Sequence, residues 1–179
     1  MKSVLLLFAL AAPFYAQTPW NKVVVSPLLT VEMPAFAPKS SFHKDQAHMM
    51  VTQAIFDSAF FMIGFTDGDL LVKDRADMDE KLKGFVHGFM ESQMKSHSIT
   101  VKDTSLAGTR GKILLLAPPA AQSAKADSGF IYMTIAGGQC YIIMEARKPN
   151  GPAERPADER RFWGSLTFDT AHIRENGFH

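Results

Sequence analysis

The sequence predicts an α+β fold: an antiparallel β-sheet of about six to seven strands, with one main helix and a short C-terminal helix packed on it. Three observations carry this. Short runs rich in Val, Ile, Phe and Tyr recur along the chain, bounded by Pro, Gly and Asp. A single long stretch repeats apolar residues at three- and four-residue steps. Between two apolar runs sits a glycine pair, Gly137-Gly138, of the kind that closes a tight hairpin.

The chain opens "MKSVLLLFALAAPFYAQ", with Lys2 ahead of an apolar run and Ala16 before polar Gln17. This pattern predicts a secretory signal peptide over 1–16, too short and too lightly flanked for a membrane span. Phe14 is bulky where a small residue is preferred, so the cut after Ala16 is less sharply marked than export itself. No cysteine follows the apolar run, which excludes a lipoprotein anchor at a mature N-terminus. A periplasmic or secreted protein without stable membrane insertion after cleavage is the expectation. Residues 17–179 then form a single domain, with a polar tail from about 169.

After Trp20, "KVVVSPLLTVEMP" reads as extended chain, with Leu29, Val31 and Met33 alternating with Thr30 and Glu32. Pro34 and Pro38 close it into a loop through Ser41. "HMMVTQAIF" and "AFFMIGF" form a hairpin around Asp57-Ser58, the second arm apolar enough to be buried on both faces. "TDGD" ends that arm as a turn. The main helix starts near "DRADMDEKLKGFVHGFMESQMK", where Asp77 and Glu80 match a capping box. Met78, Leu82, Phe85, Val86 and Phe89 make its core stripe, and Gly84 and Gly88 fall on the wet side.

"SITVKDTSL" and "TRGKILLLA" are two further strands joined around Gly108, followed by a small-residue loop, "PPAAQSAKADS". "GFIYMTIA" and "QCYIIMEAR" flank the glycine turn. A two-residue turn sets Ala136 opposite Gln139, Ile135 opposite Cys140, Met133 opposite Ile142 and Ile131 opposite Met144. Alternation then gives one wholly apolar face to Ile131, Met133, Ile135, Cys140, Ile142 and Met144. Cys140, the only cysteine, is therefore a core residue and not a reactive thiol. The other face carries Phe130, Tyr132, Thr134, Tyr141, Ile143 and Glu145. Either a second layer with Phe162 and Trp163 covers it, or Tyr132, Tyr141 and Trp163 line a ligand or partner face; coverage is the expectation. "KPNGPAERPA" is a loop, "DERRFWGS" a short helical turn and "LTF" a last strand.

This order resembles the PsbP/Mog1/DcrB-like family of small exported domains. The resemblance rests on "WNKVVVSPLLTVEMPA", "AFFMIGFTDGD", "GTRGKILLL", "GFIYMTIAGGQCYIIMEAR" and the closing "DERRFWGSLTF", which together cover most of the mature chain. It implies an antiparallel sheet with helices packed on it and a non-catalytic accessory or envelope protein. It carries no catalytic residues over.

Charge and motifs narrow the chemistry further. One of the 19 lysines and arginines lies in the signal peptide, so the mature chain balances at 18 of each sign. Neutral balance without a basic tract argues against nucleic acid as partner. No Gly-x-Ser-x-Gly elbow exists, and Ser165 lacks the context of a nucleophile. The acidic run around Asp67, Asp69, Asp74 and Asp77 lacks the ligand order of a calcium loop and suits a turn and a helix start instead. His87, Met90 and Met94 share one flank of the helix with His97 at its end, a donor set that suits copper in an exported protein. The expectation is a non-catalytic binding or accessory protein of the bacterial envelope, without cofactor, whose partner is an envelope protein or a small apolar ligand. A periplasmic copper-binding protein and a hydrolase with an unrecognised site are the alternatives.

Overall fold

The computed structural model describes residues 19–34, 39–44, 47–56, 59–66, 70–93, 98–117, 128–147, 156–169 and 171. Its elements run β1 (Trp20–Ser26), β2 (Leu29–Pro34), β3 (Lys39–Lys44), β4 (Ala47–Phe56), β5 (Ala59–Thr66), α1 (Arg75–Gln93), β6 (Ser98–Leu106), β7 (Thr109–Ala117), β8 (Ser128–Ala136), β9 (Gln139–Arg147), α2 (Pro156–Ser165) and β10 (Thr167–Phe168). Seven strands make one antiparallel sheet in the order β3-β4-β5-β9-β8-β7-β6, and three make a smaller one, β1-β2-β10. The fold is α+β, as expected. Among the described residues, no helix is long and apolar enough to cross a membrane.

Alternation along the central strands sorts the large sheet into two apolar faces. On one, Ile131, Met133, Ile135, Cys140 and Ile142 meet Met78, Leu82 and Val86 of α1. Met49, Met62, Met90 and Met144 pack around the rim of this layer, filling space between a helix and a pleated surface that branched side chains fit less readily. On the other face, Phe61, Ile63, Tyr132, Tyr141 and Ile143 are covered by the small sheet, through Leu29, Val31 and Met33, and by Phe162 and Leu166 at the end of α2. The molecule is thus layered: α1, the large sheet, then the small sheet with α2.

The β8–β9 register is the one the glycine turn predicts, with Ile135 opposite Cys140 and Met133 opposite Ile142. Gly137 and Gly138 both have positive φ, the primed turn that suits the strand twist. A side chain at Gly137 would also collide with Leu28 Cδ1, 2.3 Å from the position of a Cβ, so the turn between β1 and β2 rests on this one. Ala107 and Gly108 make the equivalent turn between β6 and β7, with Ala107 held at φ 50°.

Four expectations are corrected. The extended stretch from Trp20 to Pro34 is not one strand but a hairpin. Pro27 and Leu28 form its turn, and Ser26 Oγ accepts hydrogen bonds from the amides of Leu28 and Leu29 at 3.1 and 3.2 Å. The loop expected through Ser41 ends earlier, because residues from Lys39 pair with β4 as an edge strand. Helix capping lies one turn earlier than the Asp77–Glu80 spacing implies: Asp74 Oδ1 accepts from the Asp77 amide at 2.9 Å, and Asp77 Oδ2 accepts from the Lys73 amide at 2.8 Å. An acidic residue serves equally well at either position of the box, which is why the spacing misplaced it. Finally, the expected short C-terminal helix begins at Pro156, inside the stretch assigned to the preceding loop, and runs for ten residues; proline suits its first turn.

Candidate functional site

Tyr132 and Tyr141 are buried and their hydroxyls are occupied within the protein. The Tyr132 hydroxyl donates to the Thr109 carbonyl at 2.8 Å. Its ring occupies the space above Gly111, where a Cβ would come within 2.7 Å of it. The Tyr141 hydroxyl donates to Gln139 Oε1 at 2.7 Å and lies 2.9 Å from Ser26 Oγ, tying the small hairpin to the large sheet. Burial raises the pKa of both phenols, partly offset by their hydroxyl partners. These tyrosines therefore offer no free hydroxyl to a ligand, and the aromatic face is covered over Tyr141.

Coverage stops short of the β6 edge. There α2 and the large sheet leave a groove of about 310 Å³. Ile113, Phe130 and Tyr132 make its floor, Trp163, Arg160 and Glu159 of α2 one wall, and Thr104, Ser105 and Leu106 of β6 the other. Phe130 is 37% exposed, an unusual setting for a phenylalanine in the middle of a sheet face. The cause is positional: β10 and the small hairpin stack over β5, β8 and β9, and nothing among the described residues stacks over Ile113 and Phe130.

The α2 wall is held in place by a polar relay that begins under it. Glu145 on β9 is 1% exposed. It accepts from the Trp163 indole Nε1 at 2.8 Å and from Arg147 Nε at 2.9 Å. Arg147 in turn donates to Glu159 Oε2 at 2.7 Å. A buried carboxylate is tolerable only with such partners, and here they fix the indole edge-on beside the groove. Trp163 also packs on Phe162 in a T-shaped arrangement, ring centroids 5.2 Å apart. Of the residues that the sequence singled out on this face, Tyr132 and Trp163 come together at the groove and Tyr141 does not. Ile113, Glu159 and Arg160 were missed. Their only signal was membership of strands and turns that alternation assigns to the same face.

The candidate metal set does not assemble in the described structure. His87 projects from α1 into solvent and pairs with Glu91 at 3.2 Å, whereas Met90 packs against the core. Met94 and His97 lie outside the described residues. Among the described residues, no group of three or more His, Cys, Asp or Glu could hold a metal ion. Cys140 is fully buried, and desolvation drives its thiol pKa far above the ordinary value, so the protonated form is held in the core.

No protein-family model matches the chain, and no curated protein matches it either.

Proposed function

We propose that this chain is a non-catalytic binding module of the bacterial envelope, exported by the segment over 1–16, whose working surface is the groove between α2 and the β6 edge. The observation that carries the reading is the groove itself: about 310 Å³, floored by Ile113 and Phe130, with a polar rim and a wall locked by Glu145. That volume lies at the lower end of small-molecule sites, and an apolar floor with a few polar groups around it is the usual composition of such sites. A small apolar ligand is therefore the occupant. The balanced charge and the resemblance to the PsbP/Mog1/DcrB-like family point the same way, toward an accessory protein rather than an enzyme.

The test is a titration of the chain lacking residues 1–16 with the neutral apolar dye N-phenyl-1-naphthylamine. Saturable fluorescence enhancement at one site is expected, strongly reduced by Phe130→Ser with the far-ultraviolet circular dichroism unchanged. Phe130 is the most exposed residue of the floor, and serine sets no second charge opposite the buried Glu145. Enhancement that never saturates, or that ignores the substitution, would overturn the reading.

A further inference from the structure

We infer that the groove receives an apolar side chain from a short extended peptide, which pairs antiparallel with the outer edge of β6 and sets an acidic residue opposite Lys102. This rests on the reading of the groove as the working surface and adds what that reading leaves open, the kind of molecule that brings the apolar group.

The strand edge supplies the main-chain half of the argument. β6 ends the large sheet, and no described strand pairs with its outer side. Its register with β7 runs unbroken from Ser98 to Leu106, with no bulge or proline to guard it. Ala107 and Gly108, both at positive φ, close a two-residue turn. Leu106 and Thr109 therefore exchange main-chain hydrogen bonds, and the next pair, Ser105 and Arg110, does not. The Arg110 carbonyl accordingly turns toward β8, where it accepts from Thr134 Oγ1 at 2.5 Å. By the same alternation the amides and carbonyls of Val101, Asp103 and Ser105 point out of the sheet edge. The groove reaches Ser105 through that main chain, since alternation puts its side chain on the α1 face. Such an edge beside a pocket for an alternate side chain is matched by an extended peptide.

The side chains of β6 set the sequence of that peptide. On the groove face stand Thr104, opposite Gly111, and Lys102, opposite Ile113. A large apolar residue beside Thr104 leans over the bare Gly111 position into the groove. It is uncharged, because Arg147 and Arg160 stand against Glu145 and Glu159 and leave the wall balanced. Lys102 is exposed and forms no ion pair among the described residues, since the neighbouring Asp103 lies on the other face and pairs with Lys112. An acidic peptide residue two places along meets it. On the α1 face Val101 is 39% exposed, and an apolar residue one place further covers it.

The probe is the fluorescein-labelled peptide amide Thr-Phe-Thr-Glu-Val, whose phenylalanine falls opposite Thr104 and whose glutamate falls opposite Lys102. Fluorescence anisotropy with the chain lacking residues 1–16 is expected to show saturable binding. Methylating the second threonine's amide nitrogen, which faces Asp103, should weaken binding about tenfold, the worth of one hydrogen bond. Methylating that of the phenylalanine, which faces away from β6, should change it by no more than about twofold. Replacing the peptide's glutamate by lysine should weaken binding roughly fivefold. Asp103→Pro removes an outward amide and none of the bonds to β7, so it should abolish binding with the far-ultraviolet circular dichroism unchanged. Equal losses from the two methylations, indifference to the charge opposite Lys102, or full binding by Asp103→Pro overturns this inference and leaves the apolar site standing. No binding of the peptide where N-phenyl-1-naphthylamine still binds does the same, and no binding of either overturns both readings.

Discussion

Cys140 illustrates how far a single residue can be placed by its neighbours. Its amide donates to Thr66 Oγ1 at 3.0 Å, and its side chain lies in the layer under α1 with Ile135 and Ile142. Because burial holds the thiol protonated, a thiol-reactive probe such as a dithionitrobenzoate reagent should fail to label the native protein and should label it fully on unfolding in urea. Rapid labelling without denaturant would show that this face is open. The placement was readable from sequence because a two-residue turn leaves one register, and a slip by one residue would expose five large apolar side chains with the cysteine. Tyr141 was readable only in part. Alternation assigned it to the opposite face, but its partner Ser26 lies 115 residues away, and nothing local announces that contact.

At the scale of elements, α1 carries two testable features. Gly84 and Gly88 are exposed, and a Cβ at either would meet nothing within 4 Å. Gly84→Ala and Gly88→Ala should therefore each stabilise the protein by about 1 kcal/mol, visible as a higher urea midpoint. Loss of stability would mean that the helix face is in contact with something after all. The start of the helix depends on pH. Asp77 is held below the usual carboxylate range, first by its hydrogen bond to Lys81 and then by the Lys73 amide. A carboxyl whose pKa is depressed by folding contributes stability above its unfolded value and loses it as acid takes the pH through its folded value. Urea midpoints followed from neutral to strongly acidic pH should thus fall less steeply for Asp77→Asn than for the parent chain. The helix stripe was legible because Met78, Leu82 and Val86 repeat at helical steps, and all three are buried. Its cap was misread because four acidic residues crowd the same few positions, and only the geometry tells which carboxylate faces which amide.

For the molecule as a whole, the layer formed by the small sheet and α2 is the decisive part. Phe162 is fully buried and tilted against Phe61 of β5, ring centroids 4.9 Å apart, so it joins α2 to the centre of the large sheet. Phe162→Ala should cost about 3–5 kcal/mol in urea unfolding, as removal of a core phenylalanine does where the surroundings cannot collapse. A loss near zero would mean that the layer is not packed as described. The pairing of β1, β2 and β10 into a second sheet had no sequence signature. A strand of two residues, Thr167–Phe168, is too short to show alternation, and its partner β2 lies near the other end of the chain. Ser165 Oγ accepts from the Glu32 amide at 2.8 Å across the same junction.

What the sequence determined by itself was local and periodic: the strands, the long helix, the hairpin register, and the face on which each side chain of β8 and β9 points. Those follow from side-chain alternation and turn geometry, which act over a few residues. The tertiary structure alone decided how far the second layer reaches. A face is apolar because of its own residues, but it is covered only where elements distant in sequence are long enough to lie over it. Here they extend over Tyr141 and stop before Phe130, and that difference turns one end of a core surface into a groove.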